Sequence, residues 1–261
     1  GFGRERVLRG ITLSSEDSGI VVLLGPNGSG KTTLLRCING ALVPQSGSIS
    51  VNGRSLNEYS QRGLARIMSV VPQVHKPSFP YTVLDVVLVG RTPHVGALAM
   101  PGRRDVEIAR RSLEAVGISR LADRVYTQVS GGEMRLVLIA RALAQQPKVL
   151  LLDEPTAHLD VANQLRVLST VKKLTEENEI STLVSLHDPN HALAFADRVA
   201  LLFEGKLVAD GKPEEVITVE NMKKVYGVEA NMIVHKGKRF VVFASNGGQV
   251  SDRNVGEPQE A

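Results

Sequence analysis

Apolar residues in this chain come in short runs that polar or glycine-rich segments separate. Four of the runs have the composition of strands that are buried on both faces of a parallel sheet: Ile20–Leu24, Val149–Leu152, Thr182–Leu186 and Val199–Phe203. The segment after the first run, Lys31–Asn39, has a helical pattern. This order predicts an α/β protein with a mostly parallel sheet.

The middle of the chain has a different pattern. Between about Thr82 and Gln146, turn residues separate three segments with helical periodicity: Val83–Val89, Asp105–Val116 and Glu133–Gln145. We therefore expect a helical subdomain at 74–146, inserted into an α/β core made of 1–73 and 147–244. The polar, glycine-rich residues 245–261 are expected to form a flexible tail.

Composition is that of an ordinary globular protein. Of 261 residues, 43% are hydrophobic and 22% are charged, which allows a sizeable core. No run approaches the ~20 apolar residues that span a bilayer, and the first residues lack the apolar centre of a signal peptide. The single cysteine, Cys37, excludes a disulfide framework and a multi-cysteine zinc site. We expect an intracellular setting, and native N-terminal residues missing before Gly1.

Charge does not identify a partner. The net charge is +4, but 31 basic and 27 acidic residues are interleaved along the chain. The densest basic segment, Arg103–Arg111, is interrupted by Asp105 and Glu107, and we interpret it as a solvated helix face.

One motif carries specific chemistry, a full match to G-x-x-x-x-G-K-[ST] that follows a predicted strand and opens a predicted helix. Glycines in such a loop let consecutive N–H groups face an anion, and the helix N-terminus adds positive potential. Lys31 would reach the β- and γ-phosphates of a nucleotide, and the Thr32 hydroxyl would bind Mg²⁺. The motif comprises Gly25, Pro26, Asn27, Gly28, Ser29, Gly30, Lys31 and Thr32.

A second signal is the acidic pair after the run Val149–Leu152. Asp153 and Glu154 would lie at the carboxyl edge of the sheet, where doubly wound folds bind ligands. Asp153 would hold Mg²⁺ through water, and Glu154 would be the general base toward the attacking water. Alone the pair is equally consistent with a helix cap. Together with the phosphate loop it favours nucleotide hydrolysis.

A third signal is Ser130-Gly131-Gly132-Glu133, which precedes a predicted helix. Ser130 and Glu133 have the spacing of a capping box. The same helix start offers free N–H groups and a positive dipole end, and so a second phosphate site. One nucleotide does not need two such sites from one chain, so the pattern indicates a nucleotide shared between two chains.

With these motifs in this order, the sequence resembles the ATP-binding-cassette (ABC) ATPases over nearly its whole length. The phosphate loop and the acidic pair match the Walker A and Walker B motifs of that family, and Ser130–Glu133 resembles its signature, with Glu133 in place of the usual Gln. The resemblance implies that Phe2 stacks on adenine and that Asp160 belongs to the D-loop. It implies catalytic roles for Glu154, His187, Lys31 and Gln73. It implies Mg²⁺ contacts for Thr32, for Gln73 and, through water, for Asp153. Contacts with ATP are implied for residues Gly25 to Thr32 and for Thr33.

The resemblance also implies partners. In the family two cassettes sandwich two ATP molecules head to tail, so a homodimer is expected in which Ser130, Gly131, Gly132 and Glu133 face the nucleotide of the other copy. The implied cofactors are ATP and Mg²⁺. The further partners are integral-membrane permease subunits and, indirectly, an extracytoplasmic substrate-binding protein, but no nucleic acid. The chain would lie peripherally on the cytoplasmic face of the cell membrane.

A narrower resemblance concerns the cargo. Four segments resemble the importer subfamily for iron chelates, haem and vitamin B12, whose close relatives handle oxyanions: Tyr81–Val87, Gly90–His94, Asn163–Leu165 and His187–Asn190. The family places the membrane subunit against the segment after Gln73, so Val74–Val89 would be a coupling contact. The transported molecule would never meet this chain.

Alternatives stay open. Another cargo, export, or a soluble non-transport cassette ATPase is possible, although the short helical insert does not resemble the long coiled coil of DNA-repair cassettes. A GTPase would need an Asn-Lys-x-Asp motif, which the sequence lacks. Glu154 and His187 argue against a non-enzymatic regulator. The i,i+4 pair His187 and His191 could bind a metal, but Pro189 is expected to interrupt a helix there.

Overall fold

A computed structural model describes residues 6–15, 18–73, 79–96 and 99–244. Its strands are β1 Gly19–Leu24, β2 Ser50–Val51, β3 Arg54–Ser55, β4 Met68–Val71, β5 Val149–Asp153, β6 Ser181–Leu186, β7 Arg198–Phe203, β8 Lys206–Gly211, β9 Ala230–His235 and β10 Lys238–Phe243. Its α-helices are α1 Lys31–Ile38, α2 Gln61–Ile67, α3 Val83–Leu88, α4 Arg103–Ala115, α5 Gly131–Ala144, α6 Val161–Glu177, α7 Pro189–Phe195, α8 Pro213–Val216 and α9 Val219–Tyr226.

The main sheet has six strands in the order β4-β5-β6-β1-β7-β8. The first five are parallel, and β8 pairs antiparallel with β7 at the edge. The predicted α/β fold with a mostly parallel sheet is confirmed. Because β5, β6 and β1 are adjacent and parallel, the segments that follow them begin at one edge of the sheet.

Both faces of the sheet are covered, which explains the uninterrupted apolar runs. In β1, Val22 and Leu24 belong to one buried cluster, whereas Val21 and Leu23 belong to a second cluster on the opposite face. Successive residues of a strand point to opposite faces, so a strand buried on both sides must be apolar throughout.

Helices α3, α4 and α5 pack on one another in the middle of the chain. A short 3-10 turn, Val89–Arg91, continues α3 and lies against α5. The exposed arginines of α4 agree with the solvated face expected for Arg103–Arg111. Within the described ranges, no helix is long and apolar enough to cross a membrane.

The C-terminal end of α5 is held by side chains from the turn after α3. The guanidinium of Arg91 is almost fully buried and donates to the Ala144 carbonyl at 2.7 Å, to Gln146 Oε1 at 3.0 Å and to Asp105 Oδ1 at 3.0 Å. His94 Nε2 lies 2.8 Å from the Gln145 carbonyl oxygen. These contacts satisfy carbonyls that a helix end leaves without intrahelical partners.

One local expectation is wrong. Pro189 does not interrupt a helix but is the first residue of α7, and His187 precedes that helix. Proline fits the first helical position because its missing N–H would have had no intrahelical partner. His187 and His191 therefore do not share one helix as an i,i+4 pair.

Candidate functional site

The phosphate loop connects β1 to α1 at the carboxyl edge of the sheet. Gly25 has φ of 155°, and a Cβ there would lie 2.2 Å from the Leu202 carbonyl oxygen, so this position admits only glycine. Gly30 precedes α1 with φ of 103°. The loop thus brings its backbone amides to the start of α1, as an anion-binding loop requires.

Lys31 is buried and turns back on the loop. Its Nζ donates to the carbonyls of Gly25 at 2.7 Å and Pro26 at 3.0 Å, and it lies 3.9 Å from Glu154 Oε1. Burial lowers the pKa of Lys31, and the carboxylates of Glu154 and Asp153 oppose that shift. The ammonium group therefore lies where a bound phosphate could replace the loop carbonyls as its hydrogen-bond acceptor.

Asp153 ends β5 and accepts two hydrogen bonds at Oδ1. Thr32 Oγ1 donates at 3.0 Å, and Ser185 Oγ, from the adjacent strand β6, donates at 2.8 Å. A carboxylate and a hydroxyl side by side offer the oxygen ligands that Mg²⁺ prefers. Two protein ligands are enough, because Mg²⁺ keeps several water molecules and takes its other ligands from phosphates. These residues fit a Mg²⁺–nucleotide complex. Sequence reasoning did not find Ser185.

Glu154 follows β5 with a left-handed backbone, φ 45°. Its N–H donates to Ser185 Oγ at 2.8 Å, and its Oε2 accepts from Gln73 Nε2 at 2.7 Å. Residues 81 positions apart thus share a hydrogen bond at the mouth of the phosphate loop. Backbone strain of this kind is concentrated at functional sites.

Lys31, Thr32, Gln73 and Glu154 line one cleft of about 420 Å³. Of the positions predicted to bind nucleotide, several line it, and Val7 is an addition that no motif indicated. Phe2 lies outside the described residues. The lining consists of Val7, Asn27, Gly28, Gly30, Lys31, Thr32, Thr33, Gln73 and Glu154.

His187 follows β6 at the same edge of the sheet, and its side chain is exposed. Leu186, the residue before it, pairs with Leu24, the last residue of β1. The His187 carbonyl accepts a hydrogen bond from the Tyr226 hydroxyl at 3.0 Å. His187 is therefore one residue beyond β6, the strand that pairs with β1 next to the phosphate loop.

The predicted capping box at α5 is present. Ser130 Oγ accepts from the Glu133 N–H at 3.3 Å, and Glu133 Oε2 accepts from the Ser130 N–H at 3.1 Å. Arg120 also pairs with Glu133. The hydrogen bond from the Ser130 backbone, with Arg120 contributing, holds the pKa of Glu133 below its usual range. The acid in the signature is thus turned back onto its own helix end.

The helix start itself is exposed at Ser130 and Gly131, whereas Gly132 is buried against α6. A Cβ on Gly132 would lie 2.4 Å from Asn163 Oδ1. Asn163 is held by Asp160, the N-cap of α6, which accepts from its N–H and its Nδ2 at 2.8 Å each. Hydrogen bonds from the Asn163 backbone and side chain lower the pKa of Asp160.

A link between α5 and Gln73 was not foreseen. The buried Arg135 donates from Nη1 to the Pro72 carbonyl at 2.9 Å and from Nη2 to the Gln73 carbonyl at 3.1 Å. Helix α5 therefore carries the signature at its start and, one turn later, binds the backbone of Pro72 and Gln73.

A family model described as ABC transporter matches residues 8–157, more than half of the chain. This chain belongs to the ABC transporter family. The hemin import ATP-binding protein HmuV of Bordetella avium is 40% identical over 240 residues, which cover 89% of this chain and 91% of the relative. The chain is an ATP-binding and ATP-hydrolysing subunit of an ABC importer.

Solved structures agree with this family and fold. An ABC transporter assigned to the metal-chelate type, in an inward-facing conformation, has a TM-score of 0.76 at 34% identity and covers 87% of this chain and 86% of that chain. A dimeric ATP-binding cassette in a post-hydrolysis state with ADP and phosphate has a TM-score of 0.69 at 29% identity, with 82% and 94% covered. The ABC cassettes bind nucleotide, and this chain has their fold.

Proposed function

We propose that this chain powers the import of a metal chelate of the haem type by hydrolysing ATP at the phosphate loop. The observation that carries the hydrolytic part is that Lys31, Thr32 and the Gln73–Glu154 pair line one cleft. Asp153 lies behind Thr32 and accepts its hydroxyl hydrogen bond. The cargo class is supported by the HmuV relative and by the transporter of the metal-chelate type.

Phosphate binding uses the loop and the start of α1. Residues Gly25 to Thr33 bind the phosphates through their backbone N–H groups, except for Pro26, which has none. Lys31 leaves the Gly25 and Pro26 carbonyls to contact the β- and γ-phosphates. A Mg²⁺ ion bound by Thr32, by Gln73 and through water by Asp153 would neutralise charge on those phosphates.

Hydrolysis uses Glu154 as general base. Glu154 accepts a proton from water while the water oxygen forms a bond to the γ-phosphorus and the bond to the ADP oxygen breaks. Gln73, which donates to Glu154 at 2.7 Å, orients that carboxylate. His187 contacts the γ-phosphate and helps to hold the attacking water.

A second copy completes the site. Ser130 and Gly131 are exposed, and within the described part of the chain none of 130–133 lines the cleft. A head-to-tail dimer would bring the α5 N-terminus of one copy to the γ-phosphate of the other, next to the D-loop residue Asp160. The dimeric cassette with ADP and phosphate supports this arrangement.

The membrane partner contacts the helical subdomain, 74–146, which we assign as an insertion between the core segments 1–73 and 147–244. Exposed apolar side chains support this contact, since Phe79 is 62%, Tyr81 56% and Val89 58% exposed. The chain lies on the cytoplasmic face of the membrane, and an extracytoplasmic substrate-binding protein delivers the chelate to the permease.

The test is a transporter reconstituted in proteoliposomes from this chain and the membrane protein that copurifies with it. ATP hydrolysis should rise on addition of haem with the substrate-binding protein, and not with cobalamin or molybdate. Stimulation by molybdate alone would contradict the metal-chelate assignment. A chain that hydrolyses no ATP under any condition would contradict the whole proposal.

A further inference from the structure

The C-terminal segment from α9 to β10 is attached directly to the loop that carries His187. The Tyr226 hydroxyl, at the end of α9, donates to the His187 carbonyl at 3.0 Å. The Tyr226 ring also contacts Phe243 of β10, with ring centroids 5.9 Å apart. A segment that no motif assigned to the site therefore bonds to the backbone of a predicted catalytic residue.

Asn190, in the first turn of α7, makes the second attachment. Its Nδ2 donates to the Val241 carbonyl at 3.0 Å, and its Oδ1 accepts from the Val241 N–H at 2.8 Å. This two-way contact satisfies both the backbone N–H and the backbone C=O of Val241, a residue of β10. Val241 itself is 4% exposed, so the contact sits on the buried part of the hairpin.

The loop between β6 and α7 consists of His187 and Asp188 alone. Asp188 caps α7 by accepting from the Asn190 N–H at 2.8 Å. Burial, and secondarily the Asp188 carboxylate, raise the pKa of Tyr226 well above its ordinary value. A tyrosine hydroxyl keeps its proton at neutral pH even at its ordinary pKa of about 10, so it acts as a donor here.

We propose that Tyr226 and Asn190 are positioning residues that fix the His187 loop to the C-terminal hairpin. The inference rests on the role proposed above for His187. A hydrogen bond to the His187 carbonyl restrains the plane of the following peptide, and with it the backbone from which the exposed imidazole extends. Asn190 anchors the other end of the same loop, so the backbone that carries the ring is restrained at the sheet edge before nucleotide binds.

The first test is ATP hydrolysis by the full chain carrying Tyr226→Phe, which removes one oxygen and keeps the ring against Phe243. We expect kcat to fall about 3- to 10-fold, the worth of one hydrogen bond, with KM for ATP changed by less than about 2-fold. Asn190→Ala should give the same pattern. The matched control is Tyr59→Phe, because the Tyr59 hydroxyl donates to the Val51 carbonyl at 3.0 Å away from the site, and kcat should stay unchanged.

The second test asks whether the effect passes through His187. In a His187→Ala background, single-turnover phosphate release should be no slower with Tyr226→Phe than without it. An equal fold-loss in both backgrounds, or an unchanged kcat in the parent background, would overturn the proposal. If His187→Ala itself hydrolysed ATP at the parent rate, the role proposed for His187 would fail instead.

A readout independent of turnover is the NMR spectrum of ¹⁵N-histidine-labelled protein. The His187 ring signals are assigned by their loss in His187→Ala. Tyr226→Phe should shift or broaden those signals and leave the other histidines in place, whereas Tyr59→Phe should leave all of them in place. Unmoved His187 signals in Tyr226→Phe would contradict the positioning role even if kcat fell.

Discussion

Arg91 gives the sharpest stability prediction, because its side chain is 6% exposed and its guanidinium makes three hydrogen bonds. Arg91→Met keeps most of the aliphatic stem and removes all three. The Ala144 carbonyl at the end of α5 then loses a buried donor. Asp105 loses its cationic partner but keeps the hydrogen bond from the Gly102 N–H at 3.0 Å.

The expected loss in the free energy of unfolding is about 2–4 kcal/mol. An ordinary hydrogen bond contributes about 0.5–1.5 kcal/mol, and breaking a buried ion pair from one side costs about 3–5 kcal/mol. The lower part of the ion-pair range applies because Asp105 is 19% exposed and stays partly bonded. For a chain of this size the melting temperature should fall by several degrees.

Urea unfolding followed by circular dichroism at pH 7 measures this loss. Arg111→Met is the matched control, since Arg111 pairs with Glu107 on the surface, with side chains 74% and 61% exposed, and it should change stability by less than about 0.5 kcal/mol. A loss in Arg91→Met no larger than in the control would refute the reasoning.

The same variant has a pH signature. The hydrogen bond from Arg91 lowers the pKa of Asp105 in the folded chain. A lowered folded pKa contributes stability above the unfolded value, about 3.9, and that contribution is lost as pH falls through the folded value. The stability gap between parent and Arg91→Met should therefore be full at pH 7 and narrow below about pH 4.

Three further predictions concern the site. Lys31→Ala should abolish tight ATP binding or hydrolysis, since the phosphates lose their main cation, and nucleotide titration with an ATPase assay measures both; full activity would remove the phosphate-loop assignment. Glu154→Gln should keep nucleotide binding, hydrolyse ATP about 10²–10⁴-fold more slowly and accumulate ATP-bound dimers. Gel filtration with ATP and Mg²⁺ tests this, and monomers alone would contradict the shared site. Gln73→Ala should leave ATP affinity nearly intact but lower the hydrolysis rate, because Gln73 orients Glu154, and weaken stimulation by the membrane subunit and cargo in proteoliposomes. An unchanged rate together with undiminished stimulation would make Gln73 an ordinary loop residue.

The sequence allowed the central strands to be placed within a residue or two, because strands buried on both faces are apolar throughout. It gave no such signal for β4, Met68–Val71, which follows α2 without a turn residue and is a strand because it pairs with β5. The edge strand Lys206–Gly211 is half-exposed and mixed in polarity, so its composition is not that of a core strand. The hairpin β9–β10 was missed for the same reason.

The motifs predicted local geometry well and distant contacts poorly. The capping box at Ser130 and Glu133 follows from spacing within one turn and is present. The contacts of Arg135 with the Gln73 carbonyl and of Tyr226 with the His187 carbonyl join segments far apart in sequence. Such contacts depend on how helices pack across the sheet, which no local pattern specifies.

The left-handed backbone at Glu154 lowers local stability at a residue that hydrolysis requires. A side-chain-bearing residue in that conformation costs about 1 kcal/mol or more, whereas glycine adopts it freely. Selection for backbone stability alone would therefore favour glycine at this position, whereas selection for hydrolysis retains the carboxylate. Lineages that keep the cassette as a scaffold but no longer need its turnover should be free to accept glycine at position 154, because glycine adopts this backbone conformation without strain.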